Sequence, residues 1–168
     1  KKELFYILNQ FIIFSLLFIF ISSTLQANNI KNSAVIFMYH KFDISKYPST
    51  NITLQQFEEH LHEFSDFKYN VKSLDYIVDT IINNGDLPDN TIGISVDDSD
   101  RSFLTKAWPL LKKKGFPVTL FVTTNTIGNT NKNYLNWDEI RQLKKEGVTI
   151  GSHSHNHKHM SNLSIEEL

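Results

Sequence analysis

Thr91-Ile92-Gly93-Ile94-Ser95-Val96-Asp97-Asp98 is a run of strand length that ends on two adjacent carboxylates. Ile92, Ile94 and Val96 are separated only by the small residues Thr91, Gly93 and Ser95, so no bulky polar side chain marks a solvent face. A strand of that kind is expected to be covered on both faces, as in a parallel sheet flanked by helices. Other segments also have strand length, and residues 34–39 are continuously apolar. Residues 34–39 (AVIFMY), 69–72, 117–122 (PVTLFV) and 148–150 are the other strand candidates.

Helical signals separate these strands. Thr53-Leu54-Gln55-Gln56 has the form of a capping box. Leu54, Phe57, Leu61 and Phe64 then recur on one helical face. Ser73 can cap a second helix with Ile77, Val78, Ile81 and Ile82 on its inner side, closed by Gly85 before Pro88. A third helix is expected over residues 99–114, kinked or interrupted at Pro109. A fourth runs from the cap at Asn136 to Gly147. Ser164-Ile165-Glu166-Glu167 starts a further capping box at the end of the chain, which reads as an incomplete domain. Phe57, Phe64, Trp108 and Trp137 are expected in the core, and His60 and His62 on the outside of their helix. The fold class is α/β, with parallel strands and covering helices.

Composition narrows the chemistry. A formal net charge of −1 lacks the basic surplus of a nucleic-acid binder. The absence of cysteine excludes disulfides, thiolate metal sites and a cysteine nucleophile. Residues 1–27 read as an address. Lys1 and Lys2 precede an apolar run at residues 11–21 (FIIFSLLFIFI), followed by Ser22, Ser23 and Thr24. That order is a secretory signal peptide, or a retained membrane anchor through residues 4–21. Either places residues 28–168 outside the cytoplasm, secreted or periplasmic.

Parallel α/β folds gather their chemistry at the carboxyl ends of the strands. Those ends deliver Tyr39-His40, Asp97-Asp98, Thr123-Thr124 and the tract from Ser152 to His159. Four of the seven histidines fall between positions 153 and 159. Two imidazoles and one carboxylate, with a position left open for water, suit a divalent transition metal, zinc above all. Spacing alone allows either His153 with His157 or His155 with His159. Taken alone, the acidic pair could instead cap the helix that follows it, through Asp98 or Ser99.

With these segments in view the chain resembles the polysaccharide deacetylase family, carbohydrate esterase family 4, also called the NodB homology domain. Ile94-Ser95-Val96-Asp97-Asp98 is similar to its Thr-Phe-Asp-Asp-Gly motif. His153-Ser154-His155-Asn156-His157 is similar to its His-(Ser/Thr)-x-x-His motif, and residues 35–40 to the opening strand of the branch acting on exopolysaccharide. The resemblance covers roughly residues 34–168. It implies a distorted, here partial (β/α) barrel whose later strands and motifs are missing. It also implies that Asp98, His153 and His157 hold a divalent metal ion, most simply Zn²⁺, with Asp97 as general base. Tyr39, His40 and Thr123 would contact substrate. The activity implied is hydrolysis of N-acetyl groups on an N-acetylglucosamine-containing polysaccharide by water activated on the metal. The alternative is a non-catalytic carbohydrate- or metal-binding domain of the same fold, or an inactive fragment. Ser99 stands where the family usually has glycine, so a turn requiring positive φ there would strain it.

Overall fold

The structure, a computed structural model, describes residues 32–66, 68–128, 132–159, 161 and 163–165. Residues 1–27, whose order reads as an address, lie outside them, as do parts of the expected capping signal at 164–167. Among the described residues no helix is long and apolar enough to cross a membrane.

The elements are β1 (Ala34–Tyr39), β2 (Lys41–Phe42), β3 (Asn51–Ile52), α1 (Leu54–Asp66), β4 (Asn70–Val71), α2 (Leu74–Ile82), β5 (Thr91–Val96), a π-helical stretch Phe103–Ala107 running into α3 (Trp108–Lys114), β6 (Thr119–Val122), α4 (Trp137–Lys145) and β7 (Thr149–Ser152). The main sheet has the order β1-β5-β6-β7, all parallel, with β4 beside the start of β5. β2 and β3 form a separate two-residue parallel ladder that the sequence does not announce.

β5 is central, and all six of its residues are buried. Its register with β1 sets Tyr39 opposite Val96, so both strands stop together. Phe57, Leu61 and Phe64 of α1 are buried as their spacing predicts. They join Ile92, Ile94 and Val96 of β5, Phe103, Trp108, Leu111, Leu120 and Leu143 in one core. Gly151 on β7 lies under the Phe121 ring. A Cβ there would come within 2.6 Å of two ring carbons, so the close approach of β6 and β7 depends on glycine.

Three capping predictions match. Gln56 N donates to Thr53 Oγ1 while Thr53 N donates to Gln56 Oε1. Tyr76 N donates to Ser73 Oγ. Asn136 and Glu139 form a reciprocal box. Other expectations need correction. α2 buries Ile77, but Val78 and Ile81 are exposed and Ile82 is 70% exposed. An apolar helical face fixes an orientation, not the presence of something to cover it. The left-handed residue after α2 is Asn84 (φ 53), not Gly85. Trp137 is 44% exposed, because it occupies the first turn of α4, where the chain is still entering the helix. His60 is half-buried, and its Nδ1 shares a 2.9 Å hydrogen bond with the Tyr39 hydroxyl. β1 exposes Val35, Ile36 and Met38, since no described strand pairs with its outer edge.

Pro109 does not end its helix. It lies in the first turn of α3, directly after the π-helical stretch, where Trp108 N donates to Phe103 O five residues back. The wider turn accommodates a residue that has no N–H to give.

Glu146, just past α4, ties that helix to α3. Its Oε2 accepts from Trp108 Nε1 at 2.7 Å and from Lys112 Nζ at 3.0 Å, and its Oε1 accepts from Gln142 Nε2. These bonds, that from Trp108 first, hold its carboxyl down at about 2. A carboxyl whose folded pKa lies below its unfolded value stabilises the fold at neutral pH and loses that contribution as pH falls. Here the loss runs from the ordinary glutamate range towards 2. Melting temperature is therefore expected to fall less steeply over that interval in Glu146→Gln than in the parent chain, as thermal scans across the acid range would show.

Candidate metal centre

Asp97 and Asp98 follow the last residue of β5, and Asp97 N donates to Tyr39 O at 2.9 Å. The chain then turns through two left-handed residues, Asp98 (φ 71) and Ser99 (φ 58). The helix after this turn is served by Asp100, whose Oδ1 accepts from Ser102 N and Ser102 Oγ. Capping therefore does not consume the acidic pair. Sequence reading had no means to choose among three successive polar residues for that task.

From β7, His153 N donates to Val122 O. Ser154 (φ 63) and His157 (φ 56) are left-handed, and Ser154 Oγ accepts from His157 N. This tight loop folds His157 back beside His153, with ring centroids 4.6 Å apart. Asp98 Oδ1 lies 3.6 Å from His153 Nε2 and 3.4 Å from His157 Nε2. One ligand atom from each of the three residues lies within 4.8 Å of the others. His155 is turned elsewhere, its Nδ1 paired with Thr124 Oγ1 at 2.9 Å.

The donor set fits a divalent transition metal. Two ligands bonded tetrahedrally at about 2.0–2.1 Å would stand about 3.3 Å apart, close to the carboxylate–imidazole separations found. Those separations are also long for direct hydrogen bonds.

Asp97 is 7% exposed, and its Oδ2 is 4.0 Å from His40 Nε2. Burial pushes its carboxyl above the usual aspartate range, an effect opposed by His153 and His40, reinforced by Asp98 and opposed again by His157. A carboxylate that is destabilised as the anion is disposed to accept a proton. Tyr39 and Thr123 stand behind this surface. Tyr39 is buried and bonded to His60, and Thr123 is buried with its hydroxyl directed at His153 O, 3.4 Å away.

Two basic residues escaped sequence reading. Lys41 approaches Asp98 Oδ2 to 3.9 Å. Arg101 braces the turn by donating to Glu139 Oε1 and to Tyr134 O. Both contacts join segments far apart in the chain, which periodicity cannot reveal.

Ser99 is fully buried, left-handed, and its hydroxyl has no hydrogen-bond partner. A left-handed residue with a Cβ costs of order 1–3 kcal/mol, and an orphaned buried hydroxyl adds to it. Ser99→Gly is expected to stabilise the chain by about 1–2 kcal/mol, read as a rise of roughly 2–8 °C in Tm. An unchanged or lower Tm would show that this turn is not strained.

The sequence model of the polysaccharide deacetylase family matches residues 84–168, a span that includes both the acidic pair and the histidine tract. The Bacillus subtilis protein named "Putative polysaccharide deacetylase YxkH" is 25% identical over 132 residues, covering 79% of this chain and 46% of its own. The poly-beta-1,6-N-acetyl-D-glucosamine N-deacetylase of Staphylococcus epidermidis is 37% identical over 75 residues, 42% of this chain and 26% of that protein. The chain thus spans less than half the length of either relative. Among solved structures, the Streptococcus pyogenes deacetylase PplD superposes with a TM-score of 0.70 at 22% identity, covering 80% of this chain and 61% of that one. IcaB from Ammonifex degensii gives a TM-score of 0.64 at 21% identity, covering 74% and 53%. These structures share the fold, so the parallel sheet and its helices form part of a deacetylase-type (β/α) barrel. With its strand-end carboxylates and imidazoles gathered at one place, the chain belongs to the polysaccharide deacetylase family.

Proposed function

We propose that this chain carries the metal-binding half of a hydrolase that removes N-acetyl groups from an N-acetylglucosamine-containing polysaccharide outside the cytoplasm. The observation that carries the proposal is the meeting of Asp98, His153 and His157 beside a separate, buried carboxylate on Asp97. The S. epidermidis relative is named for this substrate, and the PplD structure is a complex with acetate, the product such a reaction releases.

Asp98, His153 and His157 would hold the ion, with zinc the best match to the donors. A divalent cation bound there supplies Lewis acidity, lowering the pKa of a water and polarising the amide carbonyl. Asp97, held beside the ligands by its backbone bond to Tyr39, takes the proton from the attacking water. His40 faces Asp97 and can hold its carboxylate oriented. As the amide C–N bond breaks, the proton held by Asp97 passes to the leaving nitrogen, so the sugar keeps a free amine and acetic acid departs, ionising to acetate in water. The apolar run at residues 4–21 supports export, with cleavage or tethering as the two outcomes to be distinguished by the mass of the mature N-terminus.

The test is acetate release from N-acetylglucosamine oligomers by the full chain, with and without a chelator. Release that stops on chelation and returns with zinc supports the reading, and chelator-insensitive release overturns it. The strained Ser99 favours one competing reading, a domain that binds metal or glycan without turnover. Stoichiometric zinc uptake with no acetate release would select it.

A further inference from the structure

Lysine is almost never buried without a partner, yet Lys41 is 9% exposed. Its ammonium lies 3.9 Å from Asp98 Oδ2 and 5.1 Å from the centroid of the Tyr47 ring. The two oxygens of Asp98 therefore have different neighbours. Oδ1 faces both imidazoles, and Oδ2 faces a fixed positive charge. The backbone enforces this division. Lys41 N donates to Thr50 O, and Phe42 N donates to Ser102 Oγ, which itself donates to Asp100 Oδ1. β2 is thereby tied to the same turn that carries Asp98.

A carboxylate can meet a divalent cation through one oxygen or through two. A group fixed behind a ligand orients it and tunes the site. The geometry points to Lys41 as a positioning residue that confines Asp98 to one-oxygen ligation, with Oδ1 given to the cation and Oδ2 withheld. That leaves a position for water and the substrate carbonyl. The inference rests on Asp98, His153 and His157 being the metal centre. A lysine that was merely nearby would weaken cation binding by repulsion and leave the number of donor atoms unchanged.

Cobalt(II) alone is the probe, because its visible absorption band weakens as the number of donor atoms rises. The full chain is compared with Lys41→Met, which keeps the stem and removes the charge, and with Lys41→Arg, which keeps the charge. Thermal melting of each variant establishes that it folds, and Lys41→Gln replaces Lys41→Met if that variant does not. Lys41→Met is expected to bind cobalt at least as tightly as the parent, with a band several-fold weaker. Lys41→Arg is expected to retain the parent band. A cobalt-loaded Lys41→Met with an unchanged band overturns the positioning role while leaving the metal centre intact. A parent chain that takes up no cobalt overturns both.

Discussion

Asp97→Asn is expected to lower acetate release by about 10²–10⁴-fold while leaving zinc bound and the fold intact. Asparagine matches aspartate in shape but its amide accepts no proton at neutral pH. The local backbone does not need the carboxylate, since the hydrogen bond to Tyr39 O comes from the Asp97 N–H. Nor does stability suffer. Burial disfavours the charged form and raises the carboxyl above its usual range, so above that range a neutral side chain removes a destabilising charge. Calorimetric zinc titration beside an acetate assay separates the two roles. Retained turnover would remove Asp97 from the chemistry, and lost zinc binding would make it a ligand.

His153→Ala is expected to weaken zinc binding by about 10²-fold or more, the scale of roughly 3–5 kcal/mol that one of three protein ligands contributes to a binding energy of about 10–16 kcal/mol. Because a ligand stabilises only the state that binds it, the rise in Tm on adding zinc should vanish with it. His155→Ala provides the contrast. That ring is paired with Thr124 Oγ1 and stands outside the group formed by Asp98, His153 and His157. It should keep both zinc affinity and the thermal shift. The reverse result, with His155→Ala losing zinc, would place the ion in the other histidine register.

The sheet was legible because β5 sets Ile92, Ile94 and Val96 between small residues and is buried throughout, and because Thr53, Ser73 and Asn136 cap helices through contacts three residues apart. The site was legible in part because strand ends in such a sheet converge. Its supporting groups were not. The Phe42–Ser102 bond spans sixty residues, and Arg101 reaches Glu139 across thirty-eight. Neither leaves a periodic trace. The failure of Val78, Ile81 and Ile82 to be buried has the same root. Periodicity records which side of α2 is apolar, while cover depends on elements that periodicity does not place.

The π-helical stretch Phe103–Ala107 has a geometric consequence for the whole helix. A turn with bonds to the fifth preceding residue contains one residue more than an α turn, and one residue is about 100° of rotation about the axis. The leading end accepts Phe42 N on Ser102 Oγ, and the trailing end gives Trp108 Nε1 to Glu146, so the wide turn sets the angle between these two anchors. One rod serves two walls that a uniform spiral of the same sequence could not address together. Because the wide turn absorbs one residue, the two ends keep the phase of an α-helix one residue shorter. Excising one of those five should therefore leave both anchors aligned, whereas winding the full sequence as a plain α spiral would swing them about 100° apart.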